Sequence, residues 1–271
     1  MNTLINGAPC DTISVNDRGL LYGDGVFRTF LLRHGEMLQW HRHYAKLLND
    51  CNTINLPCPA ESLLQTELEL LIRDEQEGVL KIIVTRGAAQ RGYAPIPQPD
   101  VTRVLSLNPV PTYAEAFYRT GVRLHICKLR LGHQPRLAGV KHLNRLENVL
   151  AAAEWDDSDI AEGLLLDESG YVIEGVRSNI FMVKDGALIT PNLSRCGVAG
   201  VQRERIIEWA ALHGVACQSL DVTLDDLLHA DEIFMVNSVI GLWPVRKMPG
   251  YNCEHHPVAH VIQDWLNHES N

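Results

Sequence analysis

The chain has 271 residues, enough for one large or two medium domains with a buried core. Its 46% hydrophobic content excludes a disordered chain. With 24 basic and 33 acidic residues, the net charge of -9 excludes a general binder of nucleic-acid backbones, though not a local basic pocket for a small anion. No run approaches the roughly 18 apolar residues of a membrane span. The N-terminus shows no basic start followed by an apolar segment, and seven scattered cysteines lack zinc spacing. The expectation is a cytoplasmic protein with reduced thiols and no membrane or nucleic-acid partner.

In chain order, "LINGAPC" followed by "TISVNDRG" predicts a short hairpin with a glycine-bearing turn. "VFRTFLLRHGEMLQW" predicts a strand, a turn at His34-Gly35 and a second strand. Trp40, Tyr44, Leu47, Leu48 and Cys51 then recur at helical spacing, so a helix with one buried face starts at Trp40. "ESLLQTELELLIRDEQEG" predicts a second helix stopped by Gly78. "VLKIIVTRG" and "TRVLSLN" are strands separated by the loop "AAQRGYAPIPQPD". "PVPTYAEAFYRTG", with its two early prolines, reads as a linker. "VRLHICKLR" is a strand, and "LAGVKHLNRLENVLAAAEW" leads into a helix whose buried face is Leu143, Leu146, Leu150 and Ala153. A dense run of strands follows in "EGLLLD", "YVIEG", "SNIFMVK" and "ALITP", with hairpin turns at "DESG" and "KDG". "GVAGVQRERIIEWAALHG" is a glycine-rich loop entering a helix that ends at Gly214. "EIFMVNS" and "GLWPV" are late strands. Strand runs with interspersed helices predict an α+β chain in two lobes. The expected boundaries are residues 1–108 for an N-terminal α/β domain, 109–119 for a linker, and 120–271 for a C-terminal α/β domain.

Several positions admit a chemical reading beside an ordinary one. Gly197 and Gly200 precede a helix, whose N-terminal amides and dipole favour an anion such as phosphate; the same pattern serves a plain loop-to-helix turn. Glu174 ends an apolar strand, where a carboxylate either needs a partner, such as a protonated ring nitrogen, or turns into water. Lys141 follows the small or apolar residues Ala138, Gly139 and Val140. It is a surface charge or a desolvated amine able to act as nucleophile or base. Alternation along "VFRTF" puts Phe27, Thr29 and Leu31 on one face and Arg28 and Phe30 on the other. His41 and His43 lie two apart on a helix and point in different directions; adjacent His255 and His256 are no better placed, and no metal is expected.

Taken together and in order, "DRGLLYGDGVFRTF", "HRHYAKLL", "GVKHLNRLENVLA", "GYVIEGVRSNIF", "GVAGVQRERI" and "DEIFMVNSVIGLWPV" resemble the fold-type IV pyridoxal-phosphate (PLP) enzymes. Branched-chain and D-amino-acid aminotransferases and aminodeoxychorismate lyases are members. The resemblance implies a two-domain α+β fold similar to D-amino-acid aminotransferase, with the cofactor between the lobes, and a homodimer. It implies that Lys141 carries PLP, that Glu174 pairs with the pyridine nitrogen, and that Gly200, Val201, Gln202 and Ser238 hold the phosphate. Lys46 stands where the family usually has a phosphate-binding arginine, a point charge in place of a bidentate fork. "VKHLNRLE" and "RGY" are similar to the lyase branch, and Thr29 matches a threonine of those lyases. "FRT" replaces the "FEG" of branched-chain enzymes. On that likeness the substrate is 4-amino-4-deoxychorismate, converted to 4-aminobenzoate and pyruvate for folate synthesis. The alternative is transamination of D- or branched-chain amino acids. The substrate's two carboxylates call for cations, for which Arg91, with Tyr93 beside it, is a candidate; Arg91 reads equally well as a solvated loop residue.

Overall fold

The computed structural model describes residues 2–73, 75–89 and 92–268. The chain forms two compact units. The first takes the residues up to Pro111 together with Val140–Asn144; the second takes Thr112–Gly139 and the residues from Arg145 onward.

The first unit contains β1 (Thr3–Ile5), β2 (Ala8–Pro9), α1 (Arg18–Tyr22), β3 (Gly25–Arg33), β4 (Glu36–Met37), α2 (Trp40–Thr53), α3 (Glu61–Ile72), β5 (Glu77–Thr85) and β6 (Thr102–Asn108). Its strands form one antiparallel sheet in the order β2-β1-β6-β5-β3-β4. Period-two alternation sends Val26, Phe30 and Leu32 of β3 and Leu80, Ile82 and Val84 of β5 into one core. That core closes on Leu47 and Cys51 of α2 and Leu64 and Leu68 of α3. Each fully buried leucine there contributes about 1.5–3 kcal/mol. The first hairpin is tighter than expected: it turns at Asn6-Gly7 and finishes at Pro9, leaving "TISVN" outside the sheet. Gly78 does not stop α3, which ends at Ile72. It lies within β5, where a Cβ would come within 2.4 Å of Leu107.

The second unit contains α4 (Glu115–Arg119), β7 (Val122–Leu131), α5 (Leu146–Ala152), β8 (Ile160–Asp167), β9 (Tyr171–Gly175), β10 (Asn179–Lys184), β11 (Ala187–Pro191), α6 (Val201–Leu212), β12 (Cys217–Leu220), β13 (Val222–Thr223), α7 (Leu224–Leu228), β14 (Glu232–Asn237), β15 (Gly241–Met248), β16 (Tyr251–Asn252) and α8 (Pro257–His268). Its sheet runs β12-β11-β10-β14-β15-β7-β8-β9-β13, with β16 beside β15. Both faces of β10 and β14 are covered, which explains their unbroken apolar sequences. Phe181, Val183, Phe234 and Val236 meet α6 and α8, whereas Ile180, Met182, Ile233 and Met235 join the core around Trp243.

The expected linker is a structural part of this unit from Thr112 on. Tyr113, Phe117 and Tyr118 set their rings edge-on to Trp243, with centroids 4.8, 5.3 and 6.3 Å away. The aromatic cluster, not the prolines, decides where residues 112–119 belong. The expected buried face after Lys141 also differs. The helix is only α5, and Leu146, Val149 and Leu150 are 69%, 62% and 54% exposed. The apolar spacing is there, but within this chain only Ala151 of α5 is buried.

Candidate active site

In the first unit, the motif "NDRGLLYGDG" folds into a locked turn around two carboxylates. Asp17 caps α1 by accepting from Gly19 N and accepts hydroxyl hydrogen bonds from Thr85 and Thr102. Asp24 accepts Nε hydrogen bonds from both Arg18 and Arg86, each 2.8 Å long. Burial raises the Asp24 pKa, but the hydrogen bonds from Arg86 and Arg18 outweigh it and hold the carboxyl below its usual range. Gly23 closes the helix in the left-handed region, and β3 leaves in a fixed direction.

Segment 140–144 lies along the start of β3. Phe27 N donates to Lys141 O at 2.9 Å, Leu143 N donates to Gly25 O at 3.0 Å, and Val26 bridges His142. Lys141 N donates to Asp50 Oδ2 of α2 at 3.1 Å. The same Asp50 oxygen pairs with Arg28, and both side chains are buried. Arg28 Nη2 also donates to the main-chain oxygen of Lys46 at 3.2 Å. Arg28 therefore points into the core side of β3, opposite Thr29, as alternation requires.

The other face of β3 carries Phe27 and Thr29. Lys141 Nζ lies 4.4 Å from the centre of the Phe27 ring, and Lys81 Nζ lies 5.3 Å from it. Lys81 is the cross-strand partner of Thr29. The Lys81 and Lys141 amines thus meet one aromatic ring, on the face of β3 that Thr29 shares. Lys81 escaped the sequence reading because its partnership depends on strand register; its only local signal is a cation in the apolar strand "VLKIIV". Lys46 is half-buried on α2. Arg91 lies outside the described residues. Tyr93 is 84% exposed, its ring 5.2 Å from Tyr22, and its main-chain oxygen is held by Arg18. His41 meets Glu61 while His43 stacks on Phe30, so the two histidines do diverge.

In the second unit, Glu174 of β9 is buried. Its Oε2 accepts from Val198 N at 2.8 Å and from Asn179 Nδ2 at 3.5 Å. Asn179, at the start of β10, also donates to Val198 O and accepts from Gly200 N. The sequence reading missed Asn179, although an asparagine opening an otherwise apolar strand was a signal. Gly139 N donates to Gly197 O, and Ala199 N donates to Gly139 O, so the glycine loop is pinned on two sides. Gly197 sits at φ +87°, and a Cβ there would come within 2.7 Å of Ile173. Gly200 is the N-cap of α6, which has no side-chain cap, and Val201 and Gln202 form its first turn. Ser238 follows β14, whose Val236 pairs with Asn179 in register. The structure thus brings Glu174, Gly200, Val201 and Gln202 into one neighbourhood.

The first unit thus holds a primary amine beside an aromatic ring, and the second holds a buried carboxylate and a helix N-terminus suited to an anion. The family model described as "Amino-transferase class IV" matches residues 25–248, and the chain belongs to that family. It is 39% identical to an aminodeoxychorismate lyase of Vibrio harveyi over 89% of either chain. The solved structure of 4-amino-4-deoxychorismate lyase from Pseudomonas aeruginosa is 44% identical, with a TM-score of 0.95 over 98% of either chain. A putative branched-chain-amino-acid aminotransferase of Methanocaldococcus jannaschii is 31% identical, over 92% of this chain and 88% of its own.

Proposed function

We propose that this chain is a PLP-dependent lyase that converts 4-amino-4-deoxychorismate to 4-aminobenzoate and pyruvate. The observation that carries the reading is the Phe27 cluster, where the Thr29 hydroxyl shares a face with Lys141 and Lys81. The likeness to two proteins named as this lyase supports it.

The residues fit PLP by the chemistry of their donors. Lys141 offers the amine that condenses with an aldehyde. The buried Glu174 carboxylate suits a protonated pyridine nitrogen, and α6, with no side-chain cap, suits a phosphate. Lys46 and Ser238 are the further residues that would hold the phosphate. When bound, PLP supplies an electron sink for the charge left as a carbon–hydrogen bond breaks. Lys141 would take the proton from the substrate carbon that bears nitrogen, its amine acting as the general base. With the cofactor bound, the Glu174 carboxylate would keep the ring nitrogen protonated. Thr29 delivers a proton to, or guides, the departing enolpyruvyl group. Lys81 is the proposed partner of one substrate carboxylate, and Arg91 of the other. The products together contain all the atoms of the substrate, so no water or oxidant is consumed, and aromatisation drives the step forward.

Transamination is the second reading, favoured by the Methanocaldococcus jannaschii relative. The test is to incubate the purified protein with aminodeoxychorismate and measure products. Equal 4-aminobenzoate and pyruvate are expected. Ketone from D- or branched-chain amino acids, with no pyruvate, would sink the lyase reading. Thr29→Val should slow pyruvate release by about 10²-fold, as loss of a proton-transfer group does, while the cofactor stays bound.

A homodimer fits the exposed Leu146, Val149 and Leu150 on α5. Seven free cysteines fit a reducing cytoplasm. Among the described residues no helix is long and apolar enough to cross a membrane.

A further inference from the structure

We propose that the buried Arg28–Asp50 pair is a positioning device for Lys141, fixing the main chain from which its amine reaches the cofactor. This inference rests on the PLP reading above. Asp50 comes from α2 and Arg28 from β3, and both are at most 2% exposed. A buried ion pair is weak evidence for stability, since apolar residues of similar volume serve a core as well or better. Its presence calls for another reason, and the hydrogen bonds supply one.

Asp50 Oδ2 has two partners. One is the Arg28 guanidinium; the other is the amide of Lys141, 91 residues away in sequence. The carbonyl of Lys141 is meanwhile held by Phe27 N. Both polar atoms of the Lys141 peptide backbone are therefore fixed, one by α2 and one by β3. A carboxylate accepting from an amide makes a stronger bond than a neutral acceptor. Burial pushes the Asp50 carboxyl above its usual range, and the Arg28 charge and the Lys141 amide pull against that shift. Arg28 also donates to the Lys46 carbonyl of α2, so one buried pair meets the backbone at both lysines proposed for the cofactor. Asp50 and Arg28 themselves stand on the core side of β3, opposite Thr29. Their part is played through Lys141.

Two double variants separate placement from packing. Arg28→Met/Asp50→Leu removes both charges and the acceptor. Arg28→Met/Asp50→Asn removes both charges but keeps an oxygen for the Lys141 amide. Apo protein of each is mixed with PLP, and the rise of the visible band of the lysine-linked cofactor is timed. Thermal unfolding of the apo forms is measured alongside. The leucine variant should form the band about 10- to 100-fold more slowly than wild type, the scale of a small misplacement. The asparagine variant should recover most of that rate, and the kcat loss should follow the same order with KM little changed.

Equal rates in the two variants and the wild type would overturn the inference while leaving the PLP reading intact. Absence of the band from the wild-type protein would overturn the PLP reading, and this inference with it. Should the leucine variant not fold, hydrogen exchange on the wild-type holoenzyme tests the same bond. Strong protection of the Lys141 amide is expected, and exchange at the rate of an exposed loop would overturn the inference.

Discussion

Lys141 and Glu174, the residues proposed to carry the cofactor and to pair with its ring nitrogen, are anchored by different parts of themselves. The first unit holds Lys141 by its backbone, N to Asp50 and O to Phe27, with the amine near an aromatic face. The second unit holds Glu174 by its side chain, through Val198 N and Asn179. The contrast suits the two roles. A lysine that must carry a cofactor and then move a proton needs a fixed root and a side chain with room to swing. A carboxylate that only balances a ring charge is best fixed at its oxygens, because a preorganised counter-charge needs no rearrangement during the reaction.

The comparison breaks most visibly at the amine. Lys141→Ala should abolish the visible cofactor band and lower kcat by at least about 10²–10⁴-fold, the range for a lost general acid–base group. Unfolding of the apo protein should shift little, since the backbone contacts of Lys141 survive the change. A surviving band would end the assignment.

Glu174→Gln should come next. The amide oxygen still accepts from Val198 N, so folding is retained, but the charge is gone. A fall of roughly 10²–10³-fold in kcat is expected, as for loss of a preorganised electrostatic partner, with the cofactor still attached. If kcat were unchanged, Glu174 would be structural only.

Asn179→Ala sharpens the same side of the comparison, because it spares the carboxylate and removes its support. It takes away the donor to Glu174 and Val198 O and the acceptor for Gly200 N. Destabilisation of about 1–3 kcal/mol is expected from the groups left unsatisfied, measured by denaturant unfolding, with weaker cofactor retention. An unaltered unfolding midpoint would mean that Asn179 supports nothing.

The smallest effect concerns acid. The folded-state pKa of Asp24 is depressed, so its contribution to stability is complete above the unfolded-state value of about 3.9 and is lost as pH falls through the folded value. Unfolding temperatures measured from pH 6 down to pH 2.5 should fall for the wild type and fall less steeply for Asp24→Asn. Identical slopes would show that the Asp24–Arg18–Arg86 cluster contributes nothing to acid sensitivity.

Much of this organisation is written locally. The ordered motifs mark Lys141, Glu174 and the glycine loop, and alternation along β3 separates Thr29 from Arg28 before any fold is known. The helical spacing from Trp40 marks α2, whose Trp40, Leu47 and Cys51 are buried as expected, whereas Leu48 is 39% exposed and His43 and Asp50 are buried instead. The sequence alone also contains the apolar stripe on α5, yet period reports only that residues share a face. It cannot report what that face meets, and Leu146 and Leu150 lie at the surface of this chain.

What the tertiary structure decided is partnership at a distance. Asp50 in "LLNDCNT" looks like any solvated charge late in a helix; its two partners lie 22 and 91 residues away. Lys81 joins Thr29 only through the β3–β5 register, and five residues around Lys141 belong with the first unit although the chain on both sides belongs with the second. The physical reason is the same in each case. Backbone periodicity and capping act within a few residues, whereas burial and charge pairing are settled only when distant elements pack.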